Sequence, residues 1–235
     1  MAVATDTIPQ GAIPVLDHGF VRLDAAMADD LSVVNAARVS FGRRKETMDE
    51  ADEGLIRFLM RDRHGTPFEH NAFRFHIRAP IFVAREWMRH RVGSFNEFSL
   101  RYAKASEDFY LPAPEDVRTQ VGKPGAYSFQ PVAAEVAQQA RAELQAVYEH
   151  AYAAYERMVE MGVARELARC ALPVGAYTEF YWTVNARSLM NFVSLRAHET
   201  AQREIRSYAQ AVETLFAQRM PVTHAAFVAT GRVAP

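Results

Sequence analysis

The clearest pattern along the chain is a period of two. In HNAFRFHIRA (70–79) Phe73, Phe75 and Ile77 share one parity and Arg74, His76 and Arg78 the other, which predicts a half-buried strand. Pro80 then suits the first turn of a helix. In IFVAREWMRHR, Ile81, Ala84, Trp87 and Met88 form one apolar stripe at helical spacing, and Arg85 and Arg89 stack one turn apart on another face. Gly93 is the expected stop. Earlier, VLDHGFVRL (15–23) is short and apolar enough for a strand, and Asp29 and Asp30 open an acidic helix start before LSVVNAARVSF. Residues 41–53 are charged and read as a loop running into a helix over 54–64, which Gly65, Thr66 and Pro67 break. Residues 103–131 carry Pro112, Pro114, Pro124, Gly122 and Gly125 and predict a long irregular excursion. Val132 to Met161 is strongly helical in composition, with Gly162 as its stop, and helical patterns recur in ARELARCAL, ARSLMNFVSLRAHE and AQREIRSYAQAVETLFAQRM. The expectation is an α+β fold: one domain over 1–235, a modest antiparallel sheet with several long helices, and 1–14 as a loose leader.

Charge narrows the possible partners. Twenty-seven basic against 28 acidic residues leave a net charge of -1, so any anion site must be local, and neither nucleic acid nor membrane is the expected partner. The chain has no apolar run long enough to span a bilayer, and MAVATDTIPQGAIP lacks the features of a secretion signal. A single cysteine, Cys170, rules out an internal disulfide and fits a reducing cytoplasm.

Against that neutral background RHRVGSFNEFSLRY (89–102) stands out. Arginine presents a planar fork of donors that suits phosphate, and Gly93, Ser94, Asn96 and Ser99 add small hydrogen-bonding groups. The bland alternative is a solvated basic helix face. Ser94 or Ser99 as a nucleophile with His90 as base is a second alternative, but neither serine lies in a G-x-S-x-G elbow. A non-catalytic RNA- or nucleotide-binding module is a third. His70 and His76 are roughly 20 Å apart along a strand, too far to share a metal ion. Cys170, in ELARCALP, reads as a small buried hydrophobe. YTEFYWTVNARSLMNFVSLR (177–196) reads as core aromatics at helical spacing, leaving Asn185 and Arg187 as caps or ligand contacts. No G-x-G-x-x-G exists to hold a nucleotide through a Rossmann turn.

Taken together, these blocks resemble the flavin-dependent thymidylate synthases (ThyX). Arg89, His90 and Arg91, seven intervening residues and then Ser99 match the RHR-x7-S signature. HGTPFEHNAFRFHIRAPIFVAREWMRHR looks like its lead-in, and ELARCALP, WTVNARSLMNFVSLR and AQREIRSYA follow in the family's order, over roughly residues 30 to 220. The resemblance implies reductive methylation of dUMP to dTMP. Methylenetetrahydrofolate would donate the methylene, and FAD, reduced by NADPH, would carry the hydride. No enzyme cysteine would attack the ring. It further implies a homotetramer whose FAD sites are shared between subunits. Arg89, His90, Arg91, Glu97, His64, Thr66, Asn185, Arg187, Asn191 and, more weakly, Ser40 would lie against FAD. Arg89, Glu97, Ser99, Leu100 and Arg101 would bind dUMP, with Arg101 and Arg169 at its phosphate. Arg196 would sit beside the uracil and favour ionisation at N3. Glu86 stands where the family commonly has a glutamine at dUMP, so its role stays open between substrate contact and partner of an arginine.

Overall fold

The computed structural model describes residues 8–123 and 126–235. Two strands, β1 (Ala12–Val15) and β2 (Gly19–Met27), form a hairpin and precede α1 (Asp30–Arg38) and α2 (Glu50–Arg61). A short α3 (Thr66–Glu69) leads into β3 (Ala72–Pro80), α4 (Ile81–Trp87) and β4 (Ser94–Glu97). After β5 (Arg118–Lys123) and β6 (Ala126–Pro131) come α5 (Ala134–Glu160), α6 (Arg165–Ala168) and β7 (Tyr177–Asn185). The remaining described helices are α7 (Ala186–Arg196), α8 (Arg203–Arg219) and α9 (Pro221–Ala229). The main sheet is antiparallel throughout, in the order β1-β2-β3-β7-β4, and β5 pairs with β6 in a separate exposed ribbon.

The period-two strand is β3, with Phe73, Phe75 and Ile77 fully buried. Opposite them in register stand Val184, Trp182 and Phe180 of β7. Each such buried side chain contributes about 1.5–3 kcal/mol. Trp87 at the end of α4 stacks on Phe192 of α7 at 4.7 Å and meets Trp182 edge-on at 5.4 Å. This aromatic knot fixes the end of α4, and with it the segment that follows. A smaller core joins Phe109, Tyr152 and Tyr155, where α5 covers residues 103–111.

Several sequence expectations are corrected. Residues 15–23 are the two arms of a hairpin, not one strand: Leu16 turns with φ 58°. Gly19 follows, where a Cβ would lie 1.9 Å from the Tyr208 hydroxyl and 2.7 Å from the Val15 carbonyl. Pro14, assigned to the leader, is part of β1, while residues 1–7 of that leader lie outside the described residues. α2 begins inside the expected loop, because Asp49 and Asp52 form a reciprocal capping box at 3.1 Å each way. The breaker Gly65-Thr66-Pro67 holds the short α3, with proline in the first turn. α4 stops at Trp87, so Arg89 lies beyond the helix and does not stack on Arg85. The excursion 103–131 contains a regular ribbon; Pro124 and Gly125 lie outside the described residues. The block 177–185 is a strand, its Phe180, Trp182 and Val184 buried and its Tyr181 and Thr183 exposed, an alternation that the aromatic density disguised.

Candidate active site

The segment from Arg89 to Tyr102 leaves the end of α4, runs as edge strand β4 along β7, and turns back at Ser99, whose carbonyl accepts from the Tyr102 and Ala103 amides. Three polar clusters gather the residues singled out in the sequence, two of them on this segment and one at the far end of α7.

The first lies at the C-terminus of α7. Arg196 donates from Nε to Nε2 of His90 at 3.0 Å, from Nη1 to the Glu86 carboxylate at 3.3 Å, and from Nη2 to the Glu86 carbonyl at 3.3 Å. All three residues are half-buried. His90 packs edge-on against Phe192 at 5.0 Å. Burial, then the nearby Arg196 and Arg89, push the His90 pKa down to about 4, so the ring is neutral near pH 7 and can accept the Arg196 proton. Its own proton then sits on Nδ1. Glu86 moves upward, chiefly through burial: Arg196 opposes the shift, Glu204 adds to it, and Arg89 opposes it more weakly.

The second cluster joins the turn to α6. Arg101 donates to the Glu166 carboxylate at 3.1 Å, and Arg169 to the Glu166 carbonyl at 3.2 Å. Arg165 donates to the Tyr102 carbonyl at 2.9 Å. Ser99 Oγ accepts the Arg101 amide at 3.3 Å, and Glu97 accepts the Thr178 hydroxyl at 2.8 Å. Arg101 and Arg169, more than sixty positions apart in sequence, thus share one glutamate.

The third lies at the N-terminus of α7. Asn185 caps the helix by accepting the Ser188 amide at 2.8 Å. Arg187 donates to Glu69 at 2.6 Å and to the Pro235 carbonyl at 2.7 Å, against buried Gly65. His64 stacks on Phe58 at 5.4 Å, and Thr66 is exposed at the start of α3. Arg187, Asn191 and Leu195 recur every four residues along the exposed stripe of α7. From Arg187 to Arg196 is about 13 Å along the axis, so one helix carries the first and third clusters on a rigid spacing.

The structure therefore brings Arg196, His90 and Glu86 together, Arg101, Ser99 and Arg169 together, and Asn185, Arg187 and Thr66 to one end of α7. It does not bring Ser40 in: that serine is exposed on the 3-10 turn Val39–Phe41, and no hydrogen bond among the described residues ties it to these clusters. Leu100 is half-buried against the smaller core. Arg89 and Arg91 are exposed, and among the described residues no acid pairs with either. Glu69, Glu166 and Thr178 were not expected from sequence. Only Glu166 carried a signal there, three residues before Arg169 on a helical pattern.

The serine nucleophile finds no support, since His90 is engaged by Arg196 and no histidine bonds Ser94 or Ser99 among the described residues. Cys170 is exposed rather than a buried hydrophobe, because the 3-10 turn Arg169–Ala171 points it outward while Ala168 takes the core position. No group of three His, Cys, Asp or Glu side chains among the described residues could hold a metal ion, and no described helix is long and apolar enough to cross a membrane. Unpaired arginines beside a helix carrying exposed amides and a guanidinium have the donor chemistry of a phosphate-bearing ring cofactor, and the second cluster has that of a nucleotide phosphate.

Such a fold and site define a nucleotide-handling enzyme without a Rossmann half, and known proteins give it a family. The thymidylate synthase complementing protein (Thy1) profile matches residues 22–222. Flavin-dependent thymidylate synthases from Thermosipho africanus and Thermus thermophilus are each 48% identical, over 91% and 92% of this chain and 92% and 77% of their own lengths. The crystal structure of PolB, a UMP/dUMP methylase from Streptomyces cacaoi bound with 5-Br dUMP, superposes with a TM-score of 0.87 at 45% identity, covering 95% of this chain and all of PolB. The chain belongs to the flavin-dependent thymidylate synthase family.

Proposed function

We propose that this chain is a single catalytic domain that methylates dUMP at C5 to give dTMP, using a flavin, without a cysteine nucleophile. The observation that carries the reading is Arg196, far along the chain from the RHR signature, seated by hydrogen bonds on its His90 and on Glu86. Methylation at C5 requires electron density at that carbon, and a guanidinium beside the pyrimidine stabilises the negative charge that develops on the ring. Neutral His90 holds Arg196 by accepting its Nε proton. Arg101 and Arg169 take the phosphate, with Ser99, Leu100 and Glu97 lining the turn, and Arg89 lies between nucleotide and flavin. Arg89, His90, Arg91, Glu97, His64, Thr66, Asn185, Arg187 and Asn191 would hold FAD, with Ser40 reaching it only in a site shared between copies, and the bound flavin would supply the hydride. Methylenetetrahydrofolate is the methylene donor and NADPH the reductant. The exposure of Arg187, Asn191, Ser40 and Arg91, with apolar Val39, Phe41 and Leu195 also exposed nearby in sequence, supports a homotetramer whose copies close the flavin site between them. A single cysteine supports a reducing, cytoplasmic setting.

The test is a visible spectrum of the purified protein followed by dUMP-dependent methylation with methylenetetrahydrofolate. A colourless protein that binds RNA with steep salt dependence would favour the binding-module alternative instead. Arg196→Ala is expected to abolish tritium release from C5-labelled dUMP while retaining flavin. Retained release would remove Arg196 from the chemistry.

A further inference from the structure

Arg196 has five N–H donors, and three are taken: one by His90 and two by a single residue, Glu86, through its carboxylate and its own carbonyl. The guanidinium is thereby fixed in direction by α4 and the segment beyond it, and two donors remain for a ligand. The side chains of Arg196 and Glu86 are 19% and 26% exposed, so their attraction is only partly screened.

Glu86 also bears on the charge of the site. An ionised carboxylate against Arg196 offsets part of the positive charge that would stabilise an anionic pyrimidine. Three charged groups act on Glu86: Arg196 from α7, Arg89 from the segment after α4, and Glu204 from the start of α8, while His90 bonds to Arg196. Glu204 is buried and bonded to the Tyr110 hydroxyl at 3.0 Å and to Arg118 at 3.2 Å. Its carboxylate opposes a charge on Glu86, whereas both arginines favour one. Glu86 thus sits between opposing fields while its hydrogen bond to Arg196 needs only an oxygen acceptor.

We propose that Glu86 is a positioning residue for pyrimidine methylation, setting the direction and effective charge of Arg196 instead of contacting the nucleotide itself. This rests on the dUMP-methylating reading above. It separates two properties that a glutamine at the same place would divide: an amide oxygen keeps the direction and drops the charge.

The experiment is a double-mutant cycle on flavin-loaded protein with Glu86→Gln, Arg196→Gln and the pair, measuring dUMP affinity by calorimetry between pH 5.5 and 8.5. Flavin content and thermal melts accompany each protein. Glu86→Gln is expected to tighten dUMP binding by about three- to tenfold at the alkaline end, where the wild-type carboxylate is charged. In the Arg196→Gln background, where no charge is left for Glu86 to offset, the same change is expected to alter affinity less than about twofold. Glu86→Ala, which removes acceptor and charge together, is expected to lower kcat well below that of Glu86→Gln, which keeps the acceptor. Equal effects of Glu86→Gln in both backgrounds would show a direct contact with dUMP and overturn the proposal, as would no effect of Glu86→Gln at any pH. A wild-type protein that neither binds nor methylates dUMP overturns the functional reading and this inference with it. Wild-type activity with an additive cycle overturns this inference alone.

Discussion

Acid should loosen this protein through one ring. His90 is held neutral in the native state, its pKa lowered from the ordinary 6.5 to about 4 by burial first and by Arg196 and Arg89 next. The unfolded chain takes up a proton near 6.5, and the native chain does so only near 4. Between those values the unfolded state binds more protons, so stability falls as the pH falls through that window. A displacement of that size corresponds to at most about 3 kcal/mol, and solvent around a half-buried ring screens it to about 1–2 kcal/mol. Glu86 works in the opposite direction: burial raises its pKa, so the native state is protonated first and gains stability on acidification. Urea denaturation of wild type and His90→Asn at pH 7, 6, 5 and 4 isolates the ring, since both proteins keep Glu86. Wild type should lose about 1–2 kcal/mol more than the variant between pH 7 and 4. Parallel stability curves would refute the reasoning and place the His90 proton elsewhere.

Two further perturbations test the supports of the site. Asp52, fully buried, is pushed up by burial but held well below its ordinary pKa by Lys45 and Arg38, and it closes the α2 capping box. Asp52→Asn should cost about 1–3 kcal/mol by leaving two cations without their carboxylate, and an unchanged denaturation midpoint would remove it from the framework. A Cβ on Gly65 would lie 2.5 Å from Arg187 Nε, so Gly65→Ala should displace that guanidinium and lower flavin occupancy, at a stability cost of about 1 kcal/mol or less because what yields is a flexible side chain in an exposed ion pair with Glu69. Full flavin absorbance in the variant would show that Arg187 is not needed where it stands.

What could be read in the sequence follows from where the information lies. β3 was legible because one face is core and the other solvent, so its residues alternate. β7 carries the same alternation, but Tyr177, Tyr181 and Thr183 on its polar side are themselves bulky, and the pattern sank into an aromatic run. The capping box of α2 uses aspartate twice in a charged stretch, which looked like a loop. At the site, Arg89, His90, Ser99 and Arg101 are close in sequence and stood out as a motif. The shared Glu166 and the grip of Glu86 on Arg196 join residues 65 and 110 positions apart, and such pairings are made by packing alone.

α7 gives the site a fixed measure. Its N-terminus is pinned by the Asn185 cap and its middle by Phe192 against Trp87, while Arg187 and Arg196 project from opposite ends. A one-residue insertion or deletion between them would swing Arg196 by about 100° around the axis and shift it by about 1.5 Å. The contacts to His90 and Glu86 would be lost in the same stroke. The number of residues between Arg187 and Arg196 is therefore as much a part of the site as the two guanidinium groups themselves.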